Sequence, residues 1–360
     1  MPLDMRNRSA SGTEFEDDND SLLSASSSST ISVDEEDVNI RMSPNWCAYR
    51  HLIESHGFRL DTCRDVKLWY QQYWDNLTSQ GHKVTRDLPG YTRACNGGGD
   101  NELCKDAGLP ENLFRGTRCM DGVKVIIKAV HLRSREYDVV KYLSSPPLRK
   151  DPRNHLIPIL DLIEVPKDSI AFIVMEEWSP QLVSETPRTL RLFLGALRQC
   201  IEVSDPSFRN VHVLKTSVEL RQHAVFMHLH HVAHLDISIR NLLTDYNSHY
   251  AYIDFELSRR FDGIEDPRIR TCRGTELAPE LERGDFSDPY KADVWALGVL
   301  IVHTCSMTGY HVPELSQLLR CMLSENYEQR PTAAVALQVF DSIIRRISPR
   351  RLQTASSLVS

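Results

Sequence analysis

The chain has 360 residues, of which 41% are hydrophobic, and a formal net charge of -7 at pH 7. This length can bury a sizeable core, whereas the negative charge and the lack of a concentrated basic face argue against phosphate-neutralising nucleic-acid binding. No stretch reaches the roughly 18 consecutive apolar residues that a membrane span needs. We therefore expect a soluble protein whose partners include neither nucleic acid nor membrane.

The cysteines and the N-terminal segment indicate the compartment. The chain has nine cysteines, an odd number, and most of them are scattered singly. This pattern is typical of reduced thiols in an intracellular protein, and the acidic, serine-rich start does not resemble a secretory signal. We expect the protein in the cytoplasm or the nucleus, and the sequence leaves its oligomeric state open.

Two segments precede the predicted globular domain. Residues 1–42 are rich in serine and acid with few large apolar residues, so they cannot offset the entropy of ordering and are predicted to be a disordered acidic tail. Residues 43–105 carry amphipathic aromatic and aliphatic side chains, which predict a helical extension. Glycines 97 to 99 indicate a linker before the domain, which is predicted to start at residue 106.

A hairpin and a helix follow in chain order. Asp121-Gly122 is a turn signal between two strand-like runs, and the second run contains Lys128. Glu136 opens a helix-like segment, after which residues 155–165 and 169–178 indicate two more strands. Alone, a lysine in such a strand is usually just a solvated strand end. Its place before a helix with a glutamate and two strands favours a functional interpretation.

The stretch from His234 to Leu243 contains Asp236 and Asn241, and Asp254 follows after a short apolar run. Together with residues before and after them, these resemble the eukaryotic protein kinase superfamily over residues 106–347. The sequence of residues 142–155 is similar to a divergent fungal protein kinase-like branch. The residues that carry the resemblance are, in order, Lys128, Glu136, Asp236, Asn241, Asp254, Ala278-Pro279-Glu280, Asp293 and Arg330.

The resemblance implies an α+β fold with two lobes. Residues 106–178 would form a small β-rich N-lobe with its hinge, and residues 179–347 a larger helical C-lobe. Residues 348–360 are expected to be a flexible tail. Within the C-lobe, Asp293 would anchor the backbone of the catalytic loop, and Glu280 and Arg330 would form a buried ion pair.

The resemblance also implies an ATP- and Mg²⁺-dependent protein kinase that transfers the γ-phosphate to a protein hydroxyl of serine or threonine. Lys128, held by Glu136, would present a positive charge to the phosphates. Asp254 and Asn241 would supply the oxygen ligands that Mg²⁺ prefers. Asp236 would accept or orient the proton of the attacking hydroxyl.

The remaining nucleotide-binding residues are also carried over by the resemblance. Met175 takes the gatekeeper position, and the backbone from Glu176 to Trp178 takes the place of the adenine-binding hinge. Leu243 is assigned to the same nucleotide site. His234 and Phe255 resemble members of the apolar column that ties the two lobes together.

The sequence departs from the family pattern in several places. No glycine-rich loop precedes Lys128, so a backbone cradle for phosphates is poorer or different. Residues 274–280 form a shorter stretch than usual, which weakens the expected platform for a peptide substrate. Four further positions carry unusual residues, namely Ile126 for a small alanine, Leu235 for arginine, Ser238 for lysine and Glu256 for glycine.

These departures leave two alternatives to a protein kinase. One is a pseudokinase, a binding or scaffold module with weak or no catalysis. The other is a kinase-like phosphotransferase for a small molecule. The five arginines in the segment after Asp254 also suggest an acceptor loop for phosphates, but a solvated basic loop is favoured because Leu235 removes the usual partner of a phosphorylated residue. These are Arg259, Arg260, Arg268, Arg270 and Arg273.

A zinc site is a further interpretation of the histidines that lead into the catalytic loop, which are His228, His230, His231 and His234. His230 and His234 have the i, i+4 spacing that can bind a metal on one helix face. No glutamate follows His230 directly, and no third ligand is evident. The pattern therefore favours a structural role.

Overall fold

The protein is represented by a computed structural model. It describes residues 39–79, 88–106, 108–151, 153–179, 187–201, 224–245, 249–270 and 273–356. The chain divides into two compact units, residues 1–131 and residues 132–360. Apart from residues 39–42, the predicted acidic tail lies outside the described residues. No helix in the described ranges has the length and hydropathy of a membrane span.

The first unit contains three antiparallel strands, β1 (Phe58–Leu60), β2 (Leu113–Arg118) and β3 (Lys124–His131). β2 pairs with β1 on one side and with β3 on the other. Gly116 is required at the β1 contact, because a Cβ atom there would lie 2.7 Å from the carbonyl oxygen of Arg59. The predicted hairpin is confirmed between β2 and β3.

Three helices complete the described part of the first unit, namely α1 (Trp46–Ser55), α2 (Cys63–Ser79) and α3 (Pro89–Asn96). They agree with the expected helical extension, but the expectation is wrong for Phe58–Leu60. Because both Phe58 and Leu60 are buried and the three residues pair with β2, this segment is a strand. The sheet therefore begins well before residue 106, where the domain was expected to start.

In the second unit, α4 (Arg135–Leu143) precedes the antiparallel pair β4 (Ile159–Val165) and β5 (Ile170–Glu176). The side chain of Ser134 caps α4 by accepting a hydrogen bond from the backbone N–H of Tyr137 at 3.2 Å. Val139, Val140 and Leu143 are buried on one face of the helix. The predicted helix and both predicted strands are thus confirmed.

In the described rest of the second unit, helices make up most of the regular structure. Its longest described helix, Pro289–Thr308, is buried along much of its length. The described helices after β5 are α5 (Leu190–Ile201), α6 (Ala224–Leu229), α7 (Pro279–Glu282), α8 (Pro289–Thr308), α9 (Ser316–Met322), α10 (Ala333–Arg346) and α11 (Pro349–Leu352).

Two short antiparallel ladders position the loops that matter for function. β6 (Val232–Ala233) pairs with β9 (Arg259–Arg260). β7 (Leu242–Thr244) pairs with β8 (Tyr250–Tyr252). The segment between β6 and β7 contains Asp236 and Asn241, and the segment between β8 and β9 contains Asp254. The ladders therefore bring two distant parts of the sequence together.

The C-terminal segment differs from the flexible tail that was expected from residue 348. α11 buries Leu352, and the backbone N–H of Leu190 donates to the carbonyl oxygen of Thr354 at 2.9 Å. The hydroxyl of Ser356 donates to the carbonyl oxygen of Thr308. Apolar burial and these hydrogen bonds hold the segment on the helices, so the expectation is wrong up to residue 356.

A buried ion pair joins α7 to the segment before α10. Nη1 and Nη2 of Arg330 donate to the two carboxylate oxygens of Glu280 at 2.8 and 2.6 Å. Burial alone would raise the pKa of Glu280, but hydrogen bonds from Arg330 and Ser287 outweigh it and hold the pKa below its usual value. Nε of Arg330 also donates to the carbonyl oxygen of Ser324. The ion pair expected from the sequence is confirmed.

We predict that Arg330→Met lowers the free energy of unfolding by about 3–5 kcal/mol, because Glu280 is then left charged and buried without its cationic partner. The pKa of Glu280 is lower in the folded protein than in the unfolded chain. The ion pair therefore stabilises the protein fully at a pH above the pKa of Glu280 in the unfolded chain, and this stabilisation is lost as the pH falls through the pKa of Glu280 in the folded protein. Urea unfolding at neutral and acidic pH measures both effects. The loss caused by Arg330→Met should be smaller at acidic pH.

Arg283→Met is the matched control, because Arg283 pairs with Asp285 where both side chains are more than half exposed. We expect it to change the free energy of unfolding by less than about 1 kcal/mol. Equal losses in the two variants at neutral pH would contradict the stabilising role of the buried pair.

Candidate active site

Asp293 of α8 holds the backbone of the loop that contains Asp236. Its buried carboxylate accepts hydrogen bonds from the backbone N–H groups of His234 and Leu235, each at 2.8 Å, and lies 2.9 Å from Nε2 of His228. Leu235 has a φ of 64°, which is unfavourable for a residue with a side chain. The bonds to Asp293 hold the loop in this conformation, as the sequence predicted.

Asp236 is oriented by two partners. Its Oδ1 accepts from the backbone N–H of Thr275 at 2.7 Å, and its Oδ2 accepts from Nδ2 of Asn241 at 2.7 Å. The same Nδ2 donates to the backbone oxygen of Asp236 at 2.9 Å. Because the amide nitrogen of Asn241 is engaged in this way, its amide oxygen is the atom that can serve as a metal ligand.

Asp254 belongs to a group of three carboxylates. One carboxylate oxygen each from Glu136, Asp254 and Glu256 lie within 4.8 Å of one another. Glu136 is buried on α4, and the other two are half-buried. Three such charges repel one another, and a hard divalent cation is the kind of partner that relieves this repulsion. Asp254 therefore lies in surroundings that suit its predicted role as a metal ligand.

His234 has a structural environment rather than a catalytic one. Its ring is fully buried and lies 4.9 Å from the ring of Phe255 and 5.5 Å from that of Tyr252, measured between centroids. Burial lowers the pKa of His234. The hydroxyl of Ser258 donates to its carbonyl oxygen at 2.9 Å. The contact between His234 and Phe255, whose rings are tilted by 39° to each other, agrees with their predicted places in the apolar column.

The zinc interpretation of the histidines is not supported by the described residues. The group of three potential metal ligands found there is the carboxylate group, and it contains no histidine. His228 lies against Asp293, and the ring of His230 packs against Phe226 at 4.5 Å between centroids. These histidines belong to the packing around α6.

Lys128 lies in the first unit, on β3. It is 7% exposed and pairs with Leu113 of β2 in the antiparallel register. Its strand also contains Ile126, which is half-buried, and the buried Ile127. A lysine so thoroughly withdrawn from water differs from an ordinary solvated strand end, which supports a functional interpretation.

The residues assigned to adenine binding lie in two segments of the second unit that pair through their backbones at Ser179 and Thr244. Met175 and Glu176 end β5, and Trp178 donates from Nε1 to a carboxylate oxygen of Glu176 at 3.3 Å. Ser179 then exchanges two backbone hydrogen bonds with Thr244. Because Leu243 precedes Thr244 in β7, the predicted hinge and Leu243 are brought to the same region.

Sequence reasoning missed two contacts that shape the site. The backbone N–H of Thr275 holds Asp236, and Gly274 before it has a φ of 138°. A Cβ atom on Gly274 would lie 3.2 Å from the carbonyl oxygen of Leu235. The sequence signal for this close approach is the glycine itself. The second missed contact is that of Ser258 with the catalytic loop, for which no signal was evident.

Comparison with known proteins identifies the family. Residues 193–312 match the sequence model of the protein kinase domain family. This region includes Asp236, Asn241, Asp254, Glu280 and Asp293. This match, together with serine/threonine kinases that are similar to parts of the chain, supports the eukaryotic protein kinase superfamily for this region, and the predicted α+β fold is confirmed.

Several curated kinases are similar to parts of the chain. The serine/threonine-protein kinase kin-29 of Caenorhabditis elegans is 27% identical over 194 residues, which cover 53% of this chain and 20% of the relative. The serine/threonine-protein kinase sck1 of Schizosaccharomyces pombe is 31% identical over 96 residues, 26% of this chain and 14% of the relative. The maternal embryonic leucine zipper kinase of Xenopus tropicalis is 36% identical over 87 residues, 24% of this chain and 13% of the relative.

The matched regions thus span about a fifth or less of these relatives. The relatives come from animals as well as from a yeast. The narrower assignment to a fungal branch therefore stays a prediction.

We predict that His234→Phe reduces the loss of stability on acidification. In the folded wild type, His234 is buried with a lowered pKa and stays neutral. In the unfolded chain, the same histidine takes up a proton when the pH falls below its ordinary pKa of 6.5. The free energy of unfolding therefore has its full value above pH 6.5. Below that pH it decreases by up to about 1.4 kcal/mol per pH unit for one proton. Phenylalanine removes this proton uptake.

Urea unfolding of both proteins at pH 7.5 and pH 5.5 measures the difference. His303→Phe is the control, because the side chain of His303 is half exposed. An identical pH dependence in the wild type and His234→Phe would contradict the prediction.

Proposed function

We propose that the protein is an ATP- and Mg²⁺-dependent protein kinase that transfers the γ-phosphate to a serine or threonine hydroxyl of a protein substrate. The observation that carries the proposal is the carboxylate of Asp236, which is held by Asn241 and by the backbone of Thr275. In this arrangement one aspartate is oriented for an acceptor hydroxyl, while Asp254 stands on the neighbouring loop. Membership of the kinase superfamily supports the same conclusion.

In the proposed reaction, Asp236 receives the hydroxyl of the acceptor and orients it towards the phosphorus atom, accepting its proton as the oxygen attacks. The γ-phosphoryl group moves to that oxygen, and ADP leaves with the electrons of the broken bond. The fixed partners of Asp236 keep its carboxylate from rotating away. This positioning is the main contribution that a protein can make to phosphoryl transfer.

Asp254 and the amide oxygen of Asn241 would hold Mg²⁺, which when bound neutralises charge on the phosphate oxygens. Lys128 is proposed to add a positive charge to the phosphates, and Glu136 is proposed to hold it. Met175, Glu176, Trp178 and Leu243 are proposed to receive the adenine.

A nucleotide-binding module without turnover is the second candidate. The connection from β1 to β2 carries the helices α2 and α3 in place of a short glycine-rich turn that could wrap phosphates. Ser238 stands where the family has a lysine, and its buried hydroxyl lacks a hydrogen-bond partner among the described residues. Both features weaken phosphate binding, which is why transfer itself must be measured rather than ATP binding alone.

We predict that Asp254→Asn abolishes Mg²⁺-dependent transfer of labelled γ-phosphate, and that Asp236→Asn lowers its rate at least about 100-fold. Asparagine at position 254 removes a charge that the metal needs, whereas at position 236 it removes the proton acceptor. The purified chain is assayed on itself and on generic protein substrates, with and without Mg²⁺. Asp285→Asn, at an exposed position, serves as the matched control.

Transfer retained in Asp254→Asn would overturn the metal assignment. Nucleotide titration with and without Mg²⁺, read together with the transfer assay, separates the two candidates. ATP binding without transfer in the wild type would favour the module without turnover, and transfer to small hydroxyl compounds but not to proteins would favour a small-molecule phosphotransferase.

A further inference from the structure

Arg260 stands between two parts of the second unit that are distant in sequence. It ends β9, where it pairs with Val232 of β6. The backbone N–H of the next residue, Phe261, donates to the carbonyl oxygen of His231 at 2.7 Å. β6 runs directly into His234 and the catalytic loop, so the backbone of Arg260 is fixed relative to that loop.

The side chain of Arg260 reaches α4. Its Nη1 donates to both carboxylate oxygens of Asp138, at 3.3 and 3.1 Å, and its guanidinium carbon lies 4.0 Å from the centre of the Tyr142 ring. Asp138 and Tyr142 are four residues apart, and thus share one face of the helix. Nη2 of Arg260 is held by Asp262 at 2.5 Å, which keeps the guanidinium plane in place.

α4 carries Glu136, the buried member of the carboxylate group with Asp254 and Glu256. The helix is tied on another side by Glu164 of β4, which accepts from Tyr137 at 2.6 Å and from Lys141 at 2.7 Å. Arg260 supplies the corresponding tie to the segment that follows Asp254. A helix held at both places presents Glu136 at a defined distance from Asp254.

The contacts of Arg260 are different in strength. Asp138 is 61% exposed, so its ion pair with Arg260 is screened by water and weak by itself. Stacking of the guanidinium on Tyr142 is less dependent on salt and is specific to a planar cation. Their combination, rather than either contact, restrains the helix.

We propose that Arg260 is a positioning residue that sets the place of α4, and with it Glu136, relative to Asp254. This inference rests on the proposed phosphotransferase function, in which Glu136 and Asp254 serve the nucleotide and its metal. In this proposal Arg260 positions a helix and does not bind a phosphate group, which was the other interpretation of the arginines in this segment. Arg260 touches no substrate in this role and acts only through α4.

Arg268 provides a matched comparison on the same segment. Like Arg260, it bonds to an aspartate two residues away, Asp266, and it stacks on a tyrosine, Tyr327, at 5.5 Å from the ring centre. Tyr327 lies between α9 and α10, far from α4 in sequence. Arg268→Leu therefore removes the same kinds of contact without removing a contact with Asp138 or Tyr142.

The experiment compares Arg260→Leu, Arg260→Lys and Arg268→Leu in the full chain by hydrogen exchange of the α4 amides. We expect exchange in Arg135–Leu143 to accelerate about tenfold in Arg260→Leu, and to stay at the wild-type rate in Arg268→Leu. Lysine keeps the charge but loses the planar stack, so an intermediate rate is expected. Wild-type exchange of α4 in Arg260→Leu would overturn the proposal.

Kinetics test the functional consequence. We expect Arg260→Leu to raise the KM for ATP in the presence of Mg²⁺ about tenfold with a smaller change in kcat, because nucleotide and metal binding depend on Glu136 and Asp254. The Tm of both leucine variants should lie within roughly 3 °C of the wild type. A general loss of structure would instead lower Tm and accelerate exchange throughout the unit, which would also overturn the proposal.

If Arg260→Leu does not fold, Tyr142→Leu and Asp138→Asn remove the same contacts from the side of the helix. They should accelerate exchange in α4 in the same way. If the wild type transfers no phosphate, the proposed function fails, but the hydrogen-exchange comparison still decides whether Arg260 positions α4. The two failures are therefore distinguishable.

Discussion

The carboxylate of Asp293 is buried away from water, and a charge in such a place is tolerated only when hydrogen bonds surround it. Its partners are the backbone N–H groups of His234 and Leu235 and the ring of His228. Because His234 and Leu235 are consecutive residues, the loop is held in one conformation, including the unfavourable φ of Leu235. The orientation of Asp236 depends on this anchor. The hydrogen bond between Asn241 and Asp236 depends on it as well.

Much of this arrangement could be predicted because the chemistry depends on short spacings along the chain. Asp236 and Asn241 are five residues apart and were both assigned to the site from the motif, whereas the hydrogen bond between their side chains is seen only in the structure. Glu280 and Arg330 are fifty residues apart, and their pairing was expected only through the family resemblance. Hydrophobic periodicity identified α4 and the neighbouring strands because buried faces leave a regular pattern.

Other contacts were not accessible to the same reasoning. Phe58–Leu60 is too short to show alternation, and its strand character comes from pairing with β2 much later in the chain. The partner of Arg260 could not be inferred because a surface arginine carries no record of which acid or ring it meets. The docking of Leu352 was missed because a polar, serine-containing segment around it indicated a tail.

The stacking of Arg330 on Trp295 has a practical consequence. The guanidinium carbon lies 4.9 Å from the indole centre, in a chain with five tryptophans. Three of them, Trp46, Trp69 and Trp74, belong to the first unit, and Trp178 lies near the end of β5. Trp295 is thus an intrinsic optical reporter of the ion pair, because a cation over an indole ring alters its emission. In a protein in which the other four are replaced by phenylalanine, the emission would report on the surroundings of that pair alone.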